Sequence, residues 1–388
     1  MQFAFTEEQV LIRDTAREFF NEHATSAKVR AALAAPGGYD RDLWSELLAM
    51  GWAGIAVAEA HGGSGLGWVE LCLLQAEQGR RLVPSPFFTT TALAAPLLAR
   101  LGTVAQQAEW LPALVAGGKQ FACAVTGATG HPGAAGVTAE LVAQPDGSYR
   151  LAGAADFVIH ADTADILLVV ARTPGSVGAQ GLSVVVVPAD AVGITRTLHV
   201  MLDLTRPMCR VEFAAVKVPA EGVLGTPEAA AAELETVLQL ARVALAAECL
   251  GGAEYVLEMT TDYAKQRVQF GRAIGSFQAV KHRLADMMVA VEAAKSAAWY
   301  AACAATESPA ELPEAAAIAK SNCADAFFNC AANGIQLHGG IGYTWDHEAH
   351  LYFKRARATG TLLGSSAWQR EQLAQLMGLG ASASAPAY

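Results

Sequence analysis

The residues best suited to chemistry lie after residue 240. Glu248 sits on a stripe of otherwise apolar or aromatic residues, Leu234, Leu238, Ala241, Leu245, Gly252 and Tyr255, spaced alternately by four and three. That spacing is one face of one helix. A carboxylate on such a face is expected to hold its proton more tightly, which suits proton abstraction. The competing role is a structural glutamate paired with a nearby cation. Arg267 follows at a helix end, where its planar fork could meet a pyrophosphate or a carboxylate at a bundle corner. Phe270 and Phe277 could flank an adenine ring or cap a core. Gln278 opens the next helix, whose free amides suit a dinucleotide. Gly339, Gly340 and Gly342 permit close backbone approach to a ligand, or simply a turn. His347 and His350 are three apart, but without a third ligand on a matched element no metal is expected. Asp346 and Glu348 beside them read as an ordinary helix cap.

Three rhythms set the elements that position these groups. Residues 1–115 read as a helical domain, opened by Phe3, Phe5 and Thr6-Glu7-Glu8 ahead of Val10, Leu11, Ala16, Phe19 and Phe20. The glycine run from Gly62 to Gly67 lacks a terminal Lys-Ser/Thr and is read as a helix connection. Over 116–222, Phe121–Val125, Ile166–Ala171, Leu182–Val187 and Val211–Val218 are strand-like and separated by turn residues. No helical stretches alternate with them, so a compact, barrel-like β domain is expected instead of a doubly wound sheet. Over 223–380 helical periodicity returns. Residues 228–266 contain no proline and predict one helix of roughly 60 Å. A second stripe runs through Val280, Leu284, Met287, Val291, Ala294 and Ala298. A third helix follows Pro309 and Pro313 to about Leu337, and a fourth spans about Leu362–Met377. The class is therefore α+β, closing with a four-helix bundle and a tail, 381–388, expected to fray.

Composition narrows the function. The 388 residues carry 27 Lys+Arg against 37 Asp+Glu, a formal charge of -10, with no basic stripe, which excludes a nucleic-acid binder. Apolar runs such as Ile166–Ala171 are strand-sized, so no membrane partner is expected. The start MQFAFTEEQV has no basic n-region ahead of a long apolar run and is not read as a secretory signal. Seven cysteines without paired ligand spacing point to free, buried thiols in a reducing compartment, the cytoplasm.

The order of helices, β domain and bundle resembles the acyl-CoA dehydrogenase flavoproteins over nearly the whole chain. Gln266-Arg267-Val268-Gln269-Phe270-Gly271-Arg272-Ala273-Ile274-Gly275-Ser276-Phe277-Gln278 is similar to that family's stretch between the first two bundle helices. Gln336-Leu337-His338-Gly339-Gly340-Ile341-Gly342-Tyr343 resembles its flavin-proximal glycine segment. Val211-Glu212-Phe213, Val216 and Val218-Pro219 resemble the close of its β domain. The resemblance implies FAD held by Arg267, Phe270, Phe277, Gln278, Gln336, Gly339, Gly340 and Ser365, some from another subunit. It places Val125 and Thr126 beside the flavin ring. The family's Trp-Ile-Thr appears as Phe157-Val158-Ile159, with Ile159 lacking the hydroxyl. The implied activity is α,β-dehydrogenation of an acyl-CoA thioester, with a flavoprotein as electron acceptor.

The family's glutamate is missing. In most members it precedes Gly-Thr late in the chain; here Leu363 stands there, before Gly364-Ser365. The alternative family position, just before an arginine on the first bundle helix, is Ala241 before Arg242. Glu248 lies two turns away, roughly 10.5 Å along the axis, and is the catalytic candidate. Otherwise a homologous subunit supplies the base, as in α2β2 members acting on bacterial steroid side chains, or the chain is a non-catalytic flavin-site subunit. An oxidase or monooxygenase on the same scaffold is a further class, and a homo-oligomer the simpler assembly.

Overall fold

The structure, a computed structural model, describes residues 4–127 and 130–379; Phe3 and the tail 381–388 lie outside the described residues. Contacts divide the chain into two compact units. One holds Ile12–Leu74 and Val83–Ala241; the other holds residues up to Leu11, Gln75–Leu82 and everything from Arg242 onward.

The chain begins with helices α1 (Glu7–His23), α2 (Ser26–Leu33), α3 (Arg41–Ala49), α4 (Trp68–Arg81), α5 (Ala95–Leu101) and α6 (Val104–Val115), of which the start of α1 and the end of α4, from Gln75, belong to the second unit. The sequence starts them with side-chain caps. Thr6 and Gln9 exchange hydrogen bonds ahead of α1, Asp40 accepts from Asp42 N and Leu43 N at α3, and Thr103 and Gln106 form a capping box at α6. Gly62–Gly67 connects a short 3₁₀ turn to α4, as its composition predicts. Before α5 the chain makes a π-helical turn, Thr89–Ala94, fully buried.

Seven strands follow: β1 (Phe121–Ala124), β2 (Glu140–Ala143), β3 (Tyr149–Ile159), β4 (Ile166–Arg172), β5 (Leu182–Pro188), β6 (Ile194–Leu198) and β7 (Met208–Val218). They form one curled sheet, a half-barrel, ordered β1-β4-β2-β3-β7-β6, with β5 paired to β4. Its inner face carries Leu141, Leu151, Leu167, Val169, Val185, Val187, Val211, Phe213, Val216 and Val218. Alternate positions along a strand share a face, so β4 and β5 enter this core at every second residue, while bulges interrupt the alternation in β3 and β7. The four β-branched runs read from the sequence are β1, β4, β5 and β7. β2, β3 and β6 carried no such signal. β3 is rich in alanine and glycine and broken by two register shifts, and β6 is largely exposed.

The second unit is built on α7 (Ala231–Gln266), a single helix of 36 residues. It is long and apolar enough to cross a bilayer, yet 89% of its most apolar window is buried inside the protein, as befits a core helix. A two-stranded hairpin follows, β8 (Val268–Gln269) with β9 (Arg272–Ala273), then α8 (Gln278–Glu307), α9 (Leu312–His338), α10 (Ala349–Thr361) and α11 (Ser366–Leu376). Pro313 sits in the first turn of α9, where its missing N–H costs nothing. The bundle is the one expected, with α10 added. Its start agrees with the cap read at Asp346–Glu348, while its extent was not marked, and the last helix starts at Ser366 instead of Leu362. Within this unit α4 and α7 cross at glycines. A Cβ on Gly79 would lie 2.1 Å from Glu248 O, and one on Gly251 1.8 Å from Ala76 O. Only glycine allows that approach. All seven cysteines are buried, and none forms a disulfide among the described residues.

Candidate functional site

Glu248 is 2% exposed. The backbone crossing at Gly79 and Gly251 brings α4 close enough for Gln75 Nε2 to donate to Glu248 Oε2 at 2.8 Å. Arg355 Nε, on α10, lies 3.0 Å from Glu248 Oε1. The carboxylate thus has a cation and an amide, the kind of pairing weighed as its competing role, with Arg355 as the cation. Arg355 was not anticipated, because the sequence marked a helix start near Asp346–Glu348 but not which residues its buried face would carry. That helix is further fixed by Tyr352, whose hydroxyl donates to Arg80 O (2.6 Å), and by Glu348, which accepts from Tyr255 (2.6 Å). Burial, and then Glu348, push the Tyr255 hydroxyl up to about 12. Glu348 therefore does not cap α10 as its position suggested. Its side chain turns to Tyr255, and His347 Nδ1 accepts from Ala349 N instead (3.1 Å).

Leu363 is 5% exposed and adopts a φ of +55°, a conformation uncommon outside glycine and asparagine. Its carbonyl accepts from Arg242 Nε (3.2 Å) and Gln369 Nε2 (3.0 Å). The Arg242 guanidinium lies 4.9 Å over the Trp368 ring. Lys320, fully buried, donates to Thr359 O (3.0 Å) and Gly360 O (3.3 Å). Its amine is held below the usual lysine range by burial. Three long polar side chains thus satisfy the carbonyls at the end of α10 and fix the turn into α11. Ala241, the other position considered for a base, is fully buried. Neither residue can accept a proton.

The hairpin and the start of α8 have the opposite character. Phe270 and Gly271, at φ +53° and +78°, form the two-residue turn that right-twisted strands favour, leaving Phe270 92% exposed. Its ring meets Phe277 edge to face at 6.2 Å, and Arg272 covers Phe277 at 4.0 Å. Arg267 is exposed and has no side-chain hydrogen bond or ion pair among the described residues. No side chain caps α8 at Phe277, so the first-turn amides from Gln278 onward lack a side-chain acceptor. Gln336, Gly339 and Gly340 are exposed at the end of α9. Gly339 has φ +66°, and a Cβ at either glycine would meet nothing within 4 Å. His338 beside them is buried; burial lowers its proton affinity, and its Nδ1 lies 2.7 Å from Gly334 O. Ser365 caps α11 through Trp368 N (3.3 Å). It also lines a cavity of about 190 Å³ with Arg357, Thr361 and Ser366.

The remaining expected residues belong to the sheet unit. Val125 and Ile159 are each 5% exposed, while Phe157 is 42% exposed. The Thr126 hydroxyl donates to the Asp156 carbonyl.

A curled sheet following helices and preceding a bundle, with an exposed arginine before an uncapped helix start, defines a flavin-type oxidoreductase scaffold. A family model for the N-terminal domain of acyl-CoA dehydrogenases matches residues 6–118, and one for the C-terminal domain matches 232–378. Acyl-CoA dehydrogenase IpdE2 of Mycobacterium tuberculosis is 37% identical over 361 residues, covering 92% of this chain and 94% of that one. Among solved structures, a Tcur3481–Tcur3483 steroid ACAD variant is similar at 33% identity and TM-score 0.86, covering 96% and 98% of the two chains. The ChsE4–ChsE5 complex from Mycobacterium tuberculosis is similar at 28% identity and TM-score 0.88, covering 98% and 100%. This chain belongs to the acyl-CoA dehydrogenase family.

That fold implies FAD. The donor set fits it. An exposed guanidinium and uncapped helix amides suit a pyrophosphate, while an exposed aromatic at the hairpin and open glycines at the end of α9 suit an adenosine end.

Proposed function

We propose that this chain is the flavin-bearing subunit of a heteromeric acyl-CoA dehydrogenase, and that a homologous partner supplies the carboxylate that removes the α-proton. The observation that carries the reading is the Thr359–Gly364 turn, clamped by Lys320, Arg242 and Gln369, which presents Leu363 where the family places its glutamate. Bound FAD would supply the acceptor for the β-hydride as the α,β double bond forms. The chain's own residues bind and orient. Arg267 and the α8 amides would hold the pyrophosphate, with Phe270, Phe277, Gln278, Gln336, Gly339, Gly340 and Ser365 around the nucleotide. Val125, Thr126, Phe157 and Ile159 would border the ring. The substrate is a bulky CoA thioester such as a steroid side chain, a reading supported by the steroid ACAD among similar structures. An electron-transferring flavoprotein takes the electrons, the assembly is cytoplasmic, and its domains are 1–115, 116–222 and 223–380.

A second reading makes Glu248 the base, favoured by its burial on α7 two turns from Ala241. Rapid-reaction flavin bleaching by acyl-CoA separates the two. With a partner-supplied base the isolated chain shows negligible bleaching, the co-purified complex bleaches, and Glu248→Gln changes the complex little. A loss of about 10²- to 10⁴-fold in Glu248→Gln assigns the base to Glu248. A fully active isolated Glu248→Gln homo-oligomer removes both readings.

A further inference from the structure

We propose that Asp156 is a positioning residue that sets the flavin-bordering edge of the sheet through Phe157 and Thr126. The proposal rests on the FAD reading above. The β3–β7 register is broken between Ala155 and Val158, and the bulge carries Asp156 and Phe157. A bulge re-aims the side chain it carries. Phe157 has φ +54°, a conformation an ordinary residue keeps only when its surroundings over-determine it.

Asp156 supplies that determination. Its Oδ1 accepts from Phe157 N at 3.0 Å, gripping the strained peptide directly. The same oxygen pairs with His199 Nε2, and Oδ2 accepts from Arg210 Nη1 at 3.1 Å. The Asp156 carbonyl accepts from the Thr126 hydroxyl. His199 is itself fixed, its backbone N donating to Met208 O at 2.9 Å, and its ring lies 5.4 Å from that of Phe157. The Asp156 side chain is 11% exposed, against 28% for His199 and 37% for Arg210. A nearly buried carboxylate is thus roofed by two more exposed basic groups. A carboxylate this deep needs such partners. The role visible here is to hold one ring and one hydroxyl at fixed places on the same edge. Phe157 is left 42% exposed in doing so, which no packing demand of the sheet explains.

The test uses the full chain with its co-purified partner, titrated with FAD and followed by flavin absorbance, visible circular dichroism and midpoint potential. Asp156→Ala should weaken FAD binding about tenfold and shift the visible spectrum and potential of the bound flavin. Phe157→Ala should do the same, and the double variant should be no worse than either alone, since both act through one ring. Asp156→Asn keeps an acceptor for Phe157 N and should restore the wild-type spectrum. Arg210→Met, altered on the exposed side of the cluster, should shift the spectrum in the same direction and stands in if Asp156→Ala does not fold. Wild-type flavin spectrum and affinity in both Asp156→Ala and Arg210→Met, or strictly additive effects with Phe157→Ala, would overturn the role of Asp156. A wild-type complex that binds no FAD would overturn the flavin reading itself.

Discussion

The turn around Leu363 and the hairpin around Phe270 divide polar and apolar roles in opposite ways. At the turn, buried donors saturate the backbone: Lys320 on Thr359 O and Gly360 O, Arg242 and Gln369 on Leu363 O. The side chain presented is inert. At the hairpin, Arg267 and the first α8 amides have no side-chain acceptors among the described residues, and the presented ring is exposed. A buried clamp is required by the fold itself, because orphaned carbonyls at a helix end destabilise it. Exposed donors and an exposed ring answer no such internal need. Their arrangement points outward, to a ligand or a second subunit. Intact scaffolding at a site is therefore weak evidence for chemistry there, whereas unsatisfied donors on a shaped surface are better evidence for binding.

The comparison can be broken or sharpened in four ways. The largest effect is expected on stability. Arg355→Ala removes the cation beside buried Glu248 and should cost about 3–5 kcal/mol in denaturant unfolding of the flavin-free chain. A loss below about 1 kcal/mol would mean that Glu248 does not depend on the pair. Next, Leu363→Glu places a carboxylate on the clamped turn. The isolated chain, loaded with FAD, should gain acyl-CoA-dependent bleaching of about 10²-fold over background, and an unchanged trace would show that the turn is more than a missing base. Third, Arg267→Ala should weaken FAD binding about 10- to 150-fold in a fluorescence titration, the equivalent of a charge-assisted contact of about 1.5–3 kcal/mol. Affinity within a factor of about two of wild type would place the pyrophosphate elsewhere.

The smallest effect concerns pH. His338 titrates below its ordinary 6.5 because it is buried, with His347 adding to the shift. As pH falls through 6.5 toward that lowered value, the unfolded chain takes up the proton first, so folding stability declines. Above 6.5 the group contributes nothing to the slope. His338→Gln should flatten the acid side of the stability curve by no more than about 1.4 kcal/mol per pH unit. An identical slope in both chains would indicate that another group sets it.

What the sequence disclosed follows from where its signals are local. The stripe from Leu234 to Tyr255 announces α7 because helical periodicity is written in one continuous stretch. The runs in β1, β4, β5 and β7 are strand signals of the same kind. β3 stayed hidden because its alanines, glycine and bulges dilute β propensity. The absence of a base at Leu363 and Ala241 was legible from residue type alone. The partner of Glu248 was not, since Arg355 lies 107 positions away on a helix with no clear stripe, and pairing across such a distance is decided by packing. Asp156 was invisible for the same reason: Arg210 reaches it through the β3–β7 register, and His199 through the pairing of β6 with β7.

The glycine crossing of α4 and α7 bears on how the molecule opens. At Gly79 and Gly251 main chain rests on main chain, so no rotamer change can loosen the joint. Amide protons of both helices near the crossing should then exchange with solvent only when the second unit unfolds as a whole, while those of the β8–β9 hairpin exchange by local fraying. Deuterium uptake would divide this one chain into a slow joint and a fast rim. An alanine at Gly251 should erase the slow class by prying the helices apart.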